Sequence, residues 1–375
     1  MRSAFALVLA LVGPLAIAAN ATSASSSAGS IACNNSPSLC TRAYNNVTYL
    51  GAHDSPFLMD ASTGYSSSGN QFYNTTVQLD AGVRLVTAQI LRQNSSTDSP
   101  WHVCHSSCAL LDAGPVVTWL SEINTWLERN PNEIVTILLV NQQSTTVAQL
   151  DALFTQSGIT QFKYTPPSTT TPPAQWPTLQ QMISNGTRLV TFIASLNSGD
   201  TPAAGSSTSY LMDEFNFVFE NPYQITSLTN FSCTANRPTS VAGNTPAALS
   251  QHLMPLMNHF LYNQLAFGIQ TSDTMNIETT NAPAGSANGT ATGSLSVSAD
   301  QCTSQYGRAP SYLLVDFFNV GPAIATADRL NGVSGATGRS SVSVAAVAVS
   351  SAAQAHSVGN LFLLGLFGTV LALIV

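Results

Sequence analysis

The chain has 375 residues, 44% of them apolar and only 8% charged, with a net charge of −7. That length can bury a sizeable core. Its eleven Lys and Arg residues are scattered without a basic run, which excludes a surface built to grip phosphate backbones, so no nucleic-acid partner is expected.

Residues 1–19 combine Arg2, an apolar run broken by Gly13-Pro14, and small residues at Ala16, Ala18 and Ala19, the layout of a cleavable secretory signal. Residues 20–43 read as a lead-in closed by a disulfide. Short β-rich apolar runs then recur at 47–50, 83–90, 134–140, 188–194, 215–219, 265–269 and 312–317. Several are near-continuous in Val, Ile and Leu, which suits parallel strands covered on both faces. Helical spacing fills gaps at 116–127, 147–156, 177–184, 247–261 and 323–330. Strand followed by helix, repeated over residues 44–334, predicts a single α/β domain, a TIM-type (β/α)8 barrel that is distorted or has one element weakly written; a doubly wound sheet is the alternative.

Residues 335–352 are rich in Ser and Ala and read as a stalk. Residues 353–375 end in an uncharged apolar tail behind a short polar spacer, the pattern of a glycosylphosphatidylinositol-anchor signal that is removed on attachment, with Ser350 as the anchor site. A secreted, monomeric protein held to the outer leaflet of the plasma membrane or the wall follows. Asn-x-Ser/Thr sequons at Asn34, Asn46, Asn74, Asn94, Asn185, Asn230 and Asn288 agree with that route. In an oxidising compartment six cysteines imply three disulfides. Proximity along the chain pairs Cys33 with Cys40, Cys104 with Cys108, and Cys233 with Cys302, one set among many open to six cysteines.

Barrel enzymes carry their chemistry at the C-terminal ends of strands. The first run ends in His53-Asp54, an imidazole beside a carboxylate, and His53 is the candidate general base. His105 sits between Cys104 and Cys108, on a loop that a short disulfide would hold, and is the candidate acid. Two imidazoles on separate loops suit displacement at phosphorus, one removing a proton from the attacking hydroxyl and the other protonating the leaving oxygen. A zinc half-site at Cys104-His105-Cys108 is the alternative, without a second Cys/His pair to complete it. Asp316 closes the last run, where it would lie next to the first strand and orient His53.

The ordered set Gly51-Ala52-His53-Asp54-Ser55, Asp80-Ala81-Gly82-Val83-Arg84, His105, Asn130-Pro131-Asn132-Glu133-Ile134-Val135 and Val315-Asp316-Phe317 resembles the phospholipase C-like phosphodiesterases, the X-domain family of phosphatidylinositol-cleaving barrels, and within it the fungal, anchored branch. The resemblance spans about residues 44–332. It implies His53, His105, Asp54 and Asp316 as catalytic residues, and attack by an inositol 2-hydroxyl on the adjacent phosphorus to give a cyclic phosphate and diacylglycerol. The partner would be a phospholipid or glycolipid head group. The chain departs from metal-independent bacterial relatives in the second strand, where their Asp-x-Arg is matched by Thr87 and Gln89. A neutral Gln stabilises an anionic transition state less than a guanidinium does. Arg84 points to the opposite face of that strand from Gln89. No cofactor is expected; Ca2+ in place of the Arg is open, although the second strand brings no carboxylate. Gln89 and Glu220 are the expected substrate contacts. A catalytically weakened barrel serving as a surface or wall binding module, and a glycoside hydrolase using Glu220 and Asp316, are the alternatives.

Overall fold

A computed structural model describes residues 31–346, apart from 95, 97, 198 and 266–269. The expected signal at 1–19, the anchor site Ser350 and the anchor signal at 353–375 lie outside the described residues. In chain order come β1 (Tyr49–Ala52), α1 (Thr75–Asp80), β2 (Leu85–Arg92), β3 (Trp101–Cys104), β4 (Asp112–Pro115) and α2 (Val116–Arg129). They are followed by β5 (Val135–Val140), α3 (Val147–Gln156), α4 (Leu179–Ser184), β6 (Leu189–Ala194), β7 (Leu211–Asp213) and β8 (Val218–Glu220). The last third holds α5 (Thr245–Ser250), β9 (Met254–Asn258), β10 (Tyr262–Gln264), β11 (Gln270–Ser272), α6 (Ile277–Thr280), α7 (Leu295–Tyr306), β12 (Tyr312–Val315) and α8 (Ile324–Asn331).

Eight strands are parallel neighbours in the order β7-β6-β5-β2-β1-β12-β9-β8, the curled sheet of a (β/α)8-type barrel. β7 and β8 stand at its two edges and are not hydrogen-bonded to each other. Each has three residues, and a single 3-10 turn at Glu214–Asn216 joins them, leaving no room for the helix a regular barrel would insert there. This is the weakly written element.

Strand alternation sorts the apolar residues into two cores. Tyr49, Leu85, Leu138, Val190, Phe192, Met212, Val218, Met254, Leu256, Tyr312 and Leu314 cluster inside the barrel, whereas Leu50, Val86, Ile137, Leu139, Phe219, Met257 and Leu313 pack outward beneath the helices. Gly51 faces inward as well: a Cβ there would lie 2.9 Å from both Leu314 Cδ1 and Leu85 Cδ2, so a larger residue would force those lumen side chains to shift. Helix α2 buries Val116, Trp119, Leu120, Ile123, Trp126 and Leu127 on one face, as its spacing predicts. Capping boxes at Thr146/Gln149 and Thr178/Gln181 start α3 and α4.

One expected helix is largely a strand. Of residues 247–261, only the first four continue the helix α5; His252 turns into the left-handed region at φ 61°, and Met254–Asn258 become the fully buried strand β9. Pro255 cannot donate to a helix ladder, and burial on both faces erased the alternation that marks a strand. Of the strand expected at 265–269, residues 266–269 lie outside the described set; on either side of them β10 and β11 pair antiparallel.

All three disulfides form as expected: Cys33–Cys40, Cys104–Cys108 and Cys233–Cys302. The sequon at Asn34 is a correction. Its side chain is 4% exposed and its Oδ1 accepts from the Ile134 N–H, so it is a folding contact rather than a free glycan acceptor. Asn46, Asn74, Asn94, Asn185 and Asn230 are exposed and Asn288 is half-exposed.

The Ser/Ala-rich segment expected to act as a stalk is tied to the barrel over residues 337–345. The Thr337 N–H donates to the Asn35 carbonyl while Asn35 Nδ2 donates to the Thr337 carbonyl, Arg339 pairs with Asp328 at 2.6 and 2.8 Å, and the Ser340 N–H donates to Asp80 O. Val342 packs on the outer core, and Asn319 Nδ2 donates to the carbonyls of Ser343 and Ala345. The segment climbs the seam beside α1 and α8, from the end where strands begin to the end where they finish. Composition hid this, because its contacts are mostly backbone hydrogen bonds and one ion pair.

Candidate active site

The inward alternation that fills the lumen continues past the strand ends and there delivers polar side chains. On β1 the inward series Tyr49, Gly51 leads to His53; on β12 Tyr312, Leu314 leads to Asp316; on β2 Leu85, Thr87 leads to Gln89; on β8 and β9 it ends in Glu220 and Asn258. His53, Thr87, Gln89, Glu220 and Asn258 line a cavity of about 290 Å³ together with Asp54, Gln142, Glu214, Tyr223, Arg237, Phe260 and Tyr262, and Asp316 is buried behind His53.

His53 Nδ1 lies 2.8 Å from Asp316 Oδ1, across the β1–β12 pairing, and its ring stacks on Phe260 with centroids 3.9 Å apart. Asp316 is fixed in turn by Asn70 Nδ2, which donates to Oδ1 at 3.1 Å and to Ser272 Oγ at 2.9 Å. Gln71 Nε2 donates to the backbone carbonyls of His53 and Val315, stitching the two strand ends together. Asp54 turns its carboxylate the other way. Its Oδ2 is 3.6 Å from His53 Nε2, 3.3 Å from His105 Nε2 and 2.7 Å from Gln89 Nε2. The Cys104–Cys108 disulfide closes a four-residue step that holds His105 at this point.

Three backbone positions beside these groups are in the left-handed region: Asp54 at φ 47°, Ser106 at 58° and Phe317 at 44°. Each immediately follows His53, His105 or Asp316. None is glycine, and such conformations cost of order 1–3 kcal/mol apiece, so the surrounding contacts hold strained turns behind all three side chains.

Burial opposes a charge on His53, but Asp54 and Asp316, with a further contribution from Glu220, outweigh it, and its pKa is raised above the ordinary imidazole value. Burial likewise opposes the Asp54 carboxylate, yet His53, His105 and the Gln89 hydrogen bond prevail and lower its pKa. Glu220 is bound by Arg237 through Nε at 2.8 Å and through the terminal nitrogen, and by Asn258 Nδ2 at 3.1 Å. The Arg237 guanidinium lies over the Tyr223 ring at 4.3 Å. Glu214, fully buried next to Glu220, is pushed well above the usual carboxylate range by burial first and by Glu220 second.

His53, Asp54, Gln89 and Glu220 therefore line one cavity, with Asp316 behind His53 and His105 against Asp54. Arg84 is at the other end of β2, buried against Glu133 Oε2 at 2.9 Å and Asn35 Oδ1 at 2.7 Å, facing away from Gln89 as strand alternation requires. His259 points outward, buried against Phe231. Sequence reasoning missed Asn70, Gln71, Phe260, Glu214 and Arg237, since each comes from a loop or turn without a pattern of its own. Only Glu214 carried a signal, an acid inside the apolar stretch 211–220.

The zinc alternative fails on chemistry. Among the described residues His102, Cys104 and Asp112 bring ligand atoms within 4.8 Å of one another, but the Cys104 sulfur is bonded to Cys108 and His102 Nδ1 is taken by Asp112 at 2.9 Å. Calcium asks for six to eight oxygens. In the mouth Asp54, Asp316 and Glu220 each have one oxygen engaged by a cationic or N–H partner, and among the described residues no three ligating side chains gather there to meet that demand.

The family model PI-PLC X 1 matches residues 39–331. The chain belongs to the PI-PLC X family. "PI-PLC X domain-containing protein 1" of Arthroderma benhamiae is 34% identical to it over 323 residues, covering 86% of this chain and 96% of that protein. An "Uncharacterized secreted protein" of the same fungus is 31% identical over 293 residues, 77% of this chain and 60% of its own length. Among solved structures, phosphatidylinositol-specific phospholipase C from Listeria monocytogenes shares 15% identity over 78% of this chain and 95% of that one, with a TM-score of 0.45. A variant of the Staphylococcus aureus enzyme shares 14%, over 78% and 93%, with a TM-score of 0.46. PI-PLC X membership accounts for the order of the motifs along the chain.

Proposed function

We propose that this chain is a phosphoric diester hydrolase of the phospholipase C type, cleaving phosphatidylinositol or a related glycolipid at the cell surface by His/His base and acid catalysis. One observation carries the reading: two imidazoles on separate strand-end loops converge on a single carboxylate oxygen, Asp54 Oδ2, while a second carboxylate, Asp316, stands behind one of them. With its Nδ1–H given to Asp316, His53 keeps the Nε2 lone pair facing the cavity. That nitrogen takes the proton of the head-group hydroxyl adjacent to phosphorus as its oxygen bonds to phosphorus. The bond from phosphorus to the glycerol oxygen breaks, and His105, whose Nε2 is paired with Asp54, returns a proton to that oxygen. The products are a cyclic phosphate and diacylglycerol.

Glu220, Asn258 and Arg237 form the wall across the cavity from His53 and are the groups offered to the remaining head-group hydroxyls. Arg237, ion-paired with Glu220, also places a guanidinium in the mouth, where β2 contributes the neutral Thr87 and Gln89. This weighs against the second reading, a silent surface-binding barrel, which the neutral Gln89 favours. The tied-up carboxylates of the mouth support an ion-independent reaction. The signal-like start, the exposed sequons and the anchor-like end support a glycosylated protein held at the outer leaflet.

The secreted protein, incubated with phosphatidylinositol vesicles with and without chelator and followed by phosphorus NMR, should yield a cyclic inositol phosphate in both conditions. His53→Ala and His105→Ala should each reduce turnover by about 10²- to 10⁴-fold. Unchanged turnover in both variants, or none in the wild type across phosphatidylinositol and its glycosylated forms, ends the proposal.

A further inference from the structure

Gln89 occupies the position where metal-independent relatives carry an arginine, and its contacts differ in kind from those of a phosphate donor. Its Nε2 donates to Asp54 Oδ2 at 2.7 Å. Its Oε1 accepts from the Ser106 backbone N–H at 2.8 Å and from Gln142 Nε2 at 3.0 Å. The amide cannot be turned over, because a flip would set oxygen against the Asp54 carboxylate and N–H against N–H at Ser106. Asp54 Oδ2 is the oxygen shared by the two histidines, and Ser106 is the strained residue next to His105. One side chain therefore ties the carboxylate of the first loop to the backbone of the second, using a donor at one end and an acceptor at the other.

We infer that Gln89 is a positioning residue that fixes Asp54 and the His105 loop relative to each other, so that the spacing of base, carboxylate and acid is set through its amide. The inference rests on the proposed function for its kinetic consequence and on the hydrogen-bond geometry alone for its structural one. Among common side chains only an amide of this length serves both partners. Arginine keeps the donation to Asp54 but has no acceptor for Ser106. Glutamate keeps the acceptor and sets a second carboxylate against Asp54. Leucine keeps neither. Restoring the relatives' residue thus has opposite outcomes under the two roles. As a phosphate contact, Gln89→Arg gains a charge-assisted bond and speeds the reaction. As a positioning residue, it loosens the His105 loop and slows it.

The test uses the full secreted chain, with Gln89→Arg, Gln89→Leu and Gln89→Glu, folding of each verified by its thermal melt. For Gln89→Arg and Gln89→Leu we expect kcat to fall by about 10- to 100-fold, the scale of a slightly misplaced catalytic group, with KM within about threefold of wild type. Amide exchange at Ser106 should quicken in both, and stay near wild type in Gln89→Glu, which still accepts that N–H. A rise in kcat for Gln89→Arg with Ser106 exchange unchanged overturns the inference. A wild type that turns over no substrate defeats the proposed function instead. Ser106 exchange in Gln89→Leu then still decides the positioning role, protection equal to wild type refuting it.

Discussion

Asp316 has one oxygen engaged by both His53 and Asn70 and a second, buried oxygen without a partner among the described residues. Replacing it with Asn keeps the acceptor toward both neighbours and removes the charge. Because that charge helps raise the His53 pKa, Asp316→Asn should weaken the base in a way that a pH profile can read. The wild-type profile should have its acid limb above the free imidazole value of about 6.5, since His53 must lose its proton to act and holds it to higher pH than a free imidazole. In Asp316→Asn that limb should move down while the plateau rate drops by about 10²-fold or more. An unmoved limb would mean that another group sets it. The same shift has a sign for stability. The contribution of protonated His53 to folding is complete below its unfolded pKa and fades as pH rises through the raised folded one.

His105 is held by an element as well, the β3–β4 hairpin with its Cys104–Cys108 bridge. The hairpin is braced by the His102–Asp112 pair and by Arg92 over the Trp101 ring at 4.0 Å. Replacing both cysteines by Ser should leave the barrel folded, because the bridge closes only four residues, yet reduce kcat by about tenfold through a looser His105. Equal rates in the double variant and the wild type would transfer the loop's order to the Gln89 amide alone. At this scale the sequence was uneven to read. Helices α2 and α3 follow from their periodicity, strands β5 and β6 from their near-continuous apolar runs, and the three disulfides from proximity. β7 was too short to register, and β9, buried on both faces, kept no alternation to separate it from a helix. His53 and Asp316 were legible because each ends an apolar run, and His105 because two cysteines flank it. Arg237, Asn70 and Gln71 were not, because their placement depends on how long loops fold back over the rim.

Across the molecule the deepest ionisable liability lies outside the site. His259 is fully buried on the outer side of β9; its Nε2 is 3.0 and 3.2 Å from the carbonyls of Thr280 and Gly293, and burial pushes its pKa down to about 4. The unfolded chain binds that proton near pH 6.5, so the neutral ring contributes stability that is present above about 6.5 and is lost as pH falls through 4, by about 3 kcal/mol in the limit. Thermal melts between pH 7 and 4 should show this loss, and His259→Gln should flatten it; a variant with the same acid slope as wild type would point to the carboxylates instead.

The climbing segment at 337–345 has a mechanical consequence. It starts beside Asn35, at the floor where strands begin, and finishes against Asn319, three residues beyond Asp316. Tension applied to the chain beyond residue 346 therefore reaches the barrel at the lip of the opening, with Asn319 and the Arg339–Asp328 pair as successive points of attachment. A load on that end turns the mouth, and not the floor, toward whatever holds it.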